Sequence, residues 1–172
     1  SMAGVRIAVT GTPGSGKTTF CSAIEYPSMT VEEIAVNHGC IGEVEEDGAA
    51  TIDVDKLCSI VAWPDGDTIL LDGHLSHLLP IDAIILIRCH PSHLRKRLSQ
   101  RDYADSKIEE NVECELIGSV AAECLNKPCL ELDSAIGIEA MIDCAERWIT
   151  DGFKPMRPND GVDWIGQIHG DD

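Results

Sequence analysis

The stretch GTPGSGKTT, residues 11–19, follows the apolar run VRIAV and satisfies the spacing G-x-x-x-x-G-K-[ST] with Gly11, Gly16, Lys17 and Thr18. Few local patterns constrain a fold as tightly, because a buried strand must deliver the chain into a glycine-rich turn and a helix must leave it at once. The glycines let the backbone curl around phosphate oxygens, and the helix start aims its amides at them. Lys17 then reaches the beta and gamma phosphates of a nucleotide, and the Thr18 hydroxyl can join magnesium. Pro13, Gly14 and Ser15 complete the cradle, and Thr19 reads as a support for nearby phosphate contacts rather than a metal ligand. The bland alternative is a glycine-rich turn without a ligand. The motif is silent about which molecule receives the phosphate.

Strand, turn and helix in that order open an α/β fold, and the rest of the chain sustains it. Residues 17–24 start a helix that Pro27 must end or kink. Residues 28–50 are acidic and weakly patterned; Thr30, followed three residues later by Glu33, offers a capping box for a short helix. Asp53 or Asp55 caps a helix through Ala62, before the turn WPDGD at 63–67. Uninterrupted Ile and Leu at 68–71 and 83–87 suit interior parallel strands covered on both faces. Pro91 begins a helix carrying Leu94 to Leu98. Beyond the DYADS break, Ile108, Val112, Leu116, Ile117, Val120 and Cys124 recur at helical intervals and read as a core-facing stripe. Residues 129–132 form a last brief strand, and a closing helix from Ile138 is broken at Gly152.

These elements predict a P-loop fold with a mostly parallel central sheet covered by helices. Its length of 172 residues suits one domain. The expected body spans 4–152, with an acceptor-binding segment at 28–50 and a short lid at about 101–107. An irregular tail follows at 153–172, whose Trp164 and Ile165 either dock back on the body or stay disordered. Ser1 and Met2 read as residues left from expression.

Thirty acidic against 13 basic residues give a net charge of -17, which opposes non-specific binding to nucleic acid and anionic membranes. A basic protein partner fits such a surface, and so does the bland reading of adaptation to a salty cytoplasm. No run is long and apolar enough for a membrane span and the start lacks a signal pattern, so the expectation is a cytoplasmic protein, or a nuclear one in a eukaryote. Eight cysteines without a CxxC pair read as buried thiols in preference to a disulfide framework or a zinc site.

Two further constellations carry chemistry. The strand before DGH ends in Asp72, which places a carboxylate at the edge of the sheet where it can orient magnesium; the alternative is a strand-end cap. His74, two residues on, is either a structural hydrogen-bonder or a group that touches phosphate, water or Asp72, and His77 is a weaker candidate. A local basic cluster then stands out in an acidic chain: Arg88, Arg95, Lys96, Arg97 and Arg101. Arg97 and Arg101 lie four apart and can aim two guanidinium forks at a polyphosphate, or form a solvated face paired with Glu and Asp.

With these pieces in place, residues 4–151 resemble the CINAP-type adenylate kinases, a branch of the P-loop nucleoside monophosphate kinases associated with small ribosomal subunit maturation. The resemblance rests on DGH at 72–74 and on RDYADSKIEENVECEL at 101–116, which is similar to that branch's compact lid and following helix. It implies Mg2+ and ATP or ADP as cofactors, AMP as acceptor and accompanying ATPase activity, with a basic small-subunit ribosomal protein as partner and no strong direct contact with nucleic acid. By the same likeness Lys17, Asp72, His74 and Arg101 are catalytic, Thr18 and Asp72 hold the metal, and Asp133 and Ala135 lie beside the adenine. The chain departs from the family between 28 and 50, which holds neither Lys nor Arg. An AMP phosphate there needs His38, Asn37 or an arginine from elsewhere. The rival readings are a ribosome-assembly ATPase with little AMP kinase activity and another small-molecule kinase. Nothing in the sequence fixes the oligomeric state.

Overall fold

All six residues of the strand Ala83–Arg88 are buried, a pattern that only a strand covered on both faces and flanked on both edges can satisfy. The computed structural model, which describes residues 4–45, 50–63 and 65–170, places it so. The chain runs β1 (Arg6–Thr10), α1 (Lys17–Ala23), β2 (Ser28–Thr30), α2 (Val31–Asn37), β3 (Ile41–Val44), β4 (Ala50–Ile52), α3 (Val54–Ile60), β5 (Ile69–Asp72) and β6 (Ala83–Arg88). Then follow α4 (Pro91–Ser99), α5 (Asp105–Ile117), α6 (Ser119–Ala122), β7 (Cys129–Asp133), α7 (Ile138–Thr150) and α8 (Trp164–Gly170). The readings of Ser1 and Met2, of 46–49 within the acceptor segment, of Pro64 in the WPDGD turn and of the last two tail residues lie outside the described residues.

The central sheet has the order β2-β5-β1-β6-β7, and every pairing in it is parallel. Alternation along β1 supplies both of its cores. Ile7 and Val9 pack on one face with Phe20, Ile85, Met141 and Trp148, while Ala8 packs on the other with Leu71, Ile84, Ile34 and Leu57. Each Ile or Leu so enclosed contributes about 1.5–3 kcal/mol. A third, smaller cluster of Leu94, Leu98, Ile108 and Val112 joins α4 to α5. No helix among the described residues is long and apolar enough to cross a membrane.

The acidic segment holds more structure than its pattern suggests. β2 adds a sheet edge beside β5, and β3 with β4 forms a separate antiparallel pair. The capping box is present: the Thr30 hydroxyl accepts from the Glu33 amide at 3.0 Å, and the Glu33 carboxylate accepts from the Thr30 amide at 3.1 Å. Asp53 caps α3 by accepting from the Lys56 amide.

Two expectations need correction. The stripe from Ile108 to Cys124 breaks at Gly118, whose φ of 71° ends α5 in the left-handed region. Ile117 is consequently 60% exposed, and the buried position on that helix face belongs to Glu115 at 2%. Within the expected lid segment, residues 101–104 lie outside any helix and 105–107 form the first turn of α5. The tail is not irregular throughout: residues 164–170 are helical and Trp164 is buried, whereas Ile165 stays exposed.

Ile85→Ala empties a fully buried site in the sheet and is expected to cost about 2–5 kcal/mol in a urea titration, against roughly 0.5 kcal/mol or less for Ile117→Ala. Equal losses would restore the unbroken stripe.

Candidate active site

β1 lies between β5 and β6, at the point where successive strands are laid down on opposite sides, and the chain leaves its carboxyl end directly into the glycine-rich loop. The loop is too close to β6 for any residue but glycine at its start. A Cβ on Gly11, whose φ is 149°, would sit 2.5 Å from the Ile87 carbonyl oxygen and 2.8 Å from Ser15 Oγ. Ser15 Oγ is buried and has no hydrogen-bond partner among the described residues. An orphaned hydroxyl in a loop of this shape fits an external phosphate oxygen. Lys17 folds back over the loop, donating from Nζ to the carbonyl oxygens of Gly11 at 3.0 Å and Thr12 at 2.8 Å. Burial lowers its pKa from 10.5 to about 8; the negative charge of Asp72 opposes this and the positive charge of Arg101 adds to it.

Asp72 closes β5 and accepts from Thr18 Oγ1 at 3.0 Å. A hydroxyl and a carboxylate oxygen held together beside a phosphate loop are the hard donors that Mg2+ takes, so the donor set fits that ion. Gly73 packs the following turn tightly on α2, where an added Cβ would come within 2.7 Å of Val31 Cγ2. The turn presents His74 on the open side of the cleft. Although its side chain is exposed, partial desolvation and then the positive charges around it, Lys17 first, lower its pKa from 6.5 to about 4. His77 has a different place. It is buried, with Nδ1 2.7 Å from the Thr10 hydroxyl and Nε2 3.4 Å from Glu123, which makes it a pin between β1 and the helices outside the sheet.

Two cavities flank this centre. One, of about 320 Å³, is lined by Gly14, Gly16, Thr19, Arg97, Arg101 and Ser134. The other, of about 420 Å³, is lined by Lys17, Thr18, Glu32, Asp72, His74 and Arg101. Arg101 belongs to both walls. Arg97 braces the loop from outside, donating from Nη1 to the carbonyl oxygens of Gly14 and Ser15, both at 3.2 Å. Asp133 caps the short turn after β7 by accepting from the Ala135 amide, and the intervening Ser134, not either of these two, lines the smaller cavity.

The rest of the basic cluster lies elsewhere. Arg95 pairs with Glu109 on α5. Arg88 is 3% exposed, pairs with Glu115 and Glu131, and lines neither of these two cavities. His38 turns back onto its own helix, with Nδ1 2.7 Å from the Ile34 carbonyl, and does not line the larger cavity. Glu115, which reads in the sequence as one more surface acid, touches the loop itself by accepting from Thr12 Oγ1 at 2.8 Å. Arg88 held its signal: an arginine inside a fully apolar strand demands a buried carboxylate.

A family model described as an AAA domain matches residues 7–118. A protein of Archaeoglobus fulgidus named "Putative adenylate kinase" is 36% identical over 171 residues, covering 94% of this chain and 93% of that one. A protein of the same name from Thermococcus onnurineus is 42% identical over 135 residues, 74% of each chain. The chain belongs to this adenylate kinase-like family. Among solved structures, a sugar kinase from a Janibacter species superposes on 91% of the chain and 99% of its own with a TM-score of 0.54; at 15% identity it shares the fold alone. For this adenylate kinase-like chain the His74 geometry has a direct consequence in solution. In the nucleotide-free protein its imidazole is expected to stay neutral down to about pH 5 and to titrate near 4 by NMR. Because protonation is resisted in the folded state, His74 favours folding fully above about pH 6.5 and loses that contribution progressively as pH falls toward 4. A midpoint at 6.5 would show an imidazole that is neither desolvated nor facing Lys17's charge.

Proposed function

We propose that this chain transfers the gamma-phosphoryl group of Mg-ATP to AMP and passes it to water when the acceptor is missing. What carries the reading is the position of Arg101 in the walls of both cavities, with Lys17 in the wall of the larger one beside it. A guanidinium and an ammonium at the junction of two cavities suit a phosphoryl group moving from one to the other. The names of the relatives support adenosine nucleotides as the pair.

In this reading the donor nucleotide lies over the loop with its base toward Ser134, and the acceptor lies in the larger cavity beside His74. Mg2+ held by Thr18 and Asp72 would supply neutralisation of phosphate charge. Lys17 leaves the Gly11 and Thr12 carbonyls for the phosphates and, with Arg101, offsets the charge that grows on the equatorial oxygens. No strong protein base is required, because the acceptor oxygen already carries negative charge. The turn 100–104 and the start of α5 act as the lid that excludes water. With no acceptor present, neutral His74 orients a water in its place. The narrower likeness to the CINAP-type branch rests on this DGH turn and lid.

The acidic acceptor wall has a cost. Glu32 lines the larger cavity and the described part of the 28–50 segment supplies no Lys or Arg, so Arg101 and Lys17 must serve both phosphate groups. A weak grip on AMP follows.

ADP formed from ATP plus AMP, and phosphate released from ATP alone, should be measured in one preparation. Lys17→Ala is expected to lower both by roughly 10²–10³-fold. His74→Ala is expected to lower phosphate release by about 10²-fold while leaving transfer within roughly 2-fold. Hydrolysis without any transfer to AMP would overturn the kinase reading and leave an ATPase.

A further inference from the structure

Burying a carboxylate is costly unless every lone pair is used, and an apolar side chain would fill the same space at lower desolvation cost. Glu115 is 2% exposed and uses both of its oxygens. Oε1 accepts from Thr12 Oγ1 in the phosphate loop at 2.8 Å. Oε2 accepts from Arg88 Nε at 2.6 Å and from the Trp164 indole nitrogen at 2.9 Å. What a carboxylate adds over a leucine is two fixed directions, one toward the loop and one toward the C-terminal segment.

That segment is held to the same network at several points. Arg88 Nη1 donates to the Val162 carbonyl at 3.0 Å, while the Val162 amide donates to Glu131 at 3.1 Å. Farther back, Arg157 donates to the Cys124 carbonyl at 2.9 Å. Trp164 also reaches the loop by a second path. Its ring stands edge-on to His90 at 5.3 Å, and His90 caps α4 by accepting from the Ser92 amide at 3.1 Å. α4 carries Arg97, which donates to the Gly14 and Ser15 carbonyls. The first path ends on the Thr12 side chain and the second on the Gly14 and Ser15 carbonyls, all within the glycine-rich loop. Thr12, at the end of the first path, also offers its carbonyl to Lys17 Nζ at 2.8 Å.

We propose that Glu115 and Trp164 are positioning residues for the phosphate loop, and that the segment 157–164 is a clasp whose docking and nucleotide binding strengthen each other. Neither residue touches the nucleotide; each acts through Thr12 or Arg97. The inference rests on the reading that this loop holds a nucleotide. Reciprocity fixes its form: if the docked clasp raises nucleotide affinity by some factor, bound nucleotide raises the docking equilibrium by the same factor.

The test uses the full chain and Mg-ADP, which avoids turnover. Calorimetry should show Trp164→Phe and Glu115→Gln weakening Mg-ADP by roughly 5- to 50-fold, a span usual for coupled sites. Ile165→Ala, an exposed neighbour outside the network, should stay within about 2-fold. Adding Thr12→Val to Trp164→Phe should cost little more than either change alone, because both cut one path. In the unaltered chain, saturating Mg-ADP should slow hydrogen exchange of the amides at 160–168. A merely structural tryptophan would lower the melting temperature of Trp164→Phe yet leave Mg-ADP affinity and tail exchange unchanged, and that result would overturn the proposal. If Trp164→Phe does not fold, exchange in the unaltered chain decides alone. An unaltered chain that binds no Mg-ADP would contradict the nucleotide reading itself and remove the clasp with it.

Discussion

Lys17 keeps an ammonium group between two backbone carbonyls, in a place where burial works against its charge. The carbonyls of Gly11 and Thr12 are partial compensation, and among charges that favour the protonated form Asp72 comes first, with Glu115 behind it. Everything around the lysine follows from keeping it there. The strand β1 must be central so that its end is enclosed by β5 and β6, and Gly11 must lack a Cβ for the loop to pass under the Ile87 carbonyl. In the proposed function a polyphosphate would add negative charge beside this buried ammonium, as Asp72 does from within the fold.

Much of this frame was legible because the residues carry it locally. The glycine spacing marks the loop, the buried Ile and Leu runs mark β5 and β6, and Thr30 with Glu33 or Asp53 marks helix starts by chemistry that needs no tertiary partner. What escaped depends on partners far away in sequence. β2 has three residues and is a strand only because β5 lies beside it; β3 and β4 are short and mostly exposed. Glu115 looks like a surface acid until Thr12, Arg88 and Trp164, which lie 103, 27 and 49 residues away, are brought around it. The same distant network explains why Arg88 is engaged by Glu115 and Glu131 and why the tail docks through Trp164 and not Ile165. Arg101 was found for its charge, but its place between two cavities could not be read from a helix face, since α4 stops at Ser99.

The remaining chemistry is a contest over two cations. In the proposed reaction a donor triphosphate and an acceptor monophosphate would both bring negative charge into a cleft that includes Glu32 and whose neighbouring segment lacks Lys and Arg. Lys17 and Arg101 stand where the two phosphate groups would meet, which favours charge developing during transfer over charge present in the separate ground states. On the proposed reading such a site would bind the acceptor weakly and still move the phosphoryl group. His74 lines the same wall, where the proposed function has it orient a water in place of the acceptor.

Arg101 lines both cavities, and in the proposed function they form one path through it. A compound of two adenosines joined by five phosphates spans a donor and an acceptor site at once, and its binding measures that path without catalysis. Calorimetry on the full chain should show one molecule bound per chain, about 10²-fold or more tighter than ATP, because the second half binds intramolecularly. Affinity no better than that of ATP, unchanged by Arg101→Ala, would mean that the larger cavity is not an acceptor site.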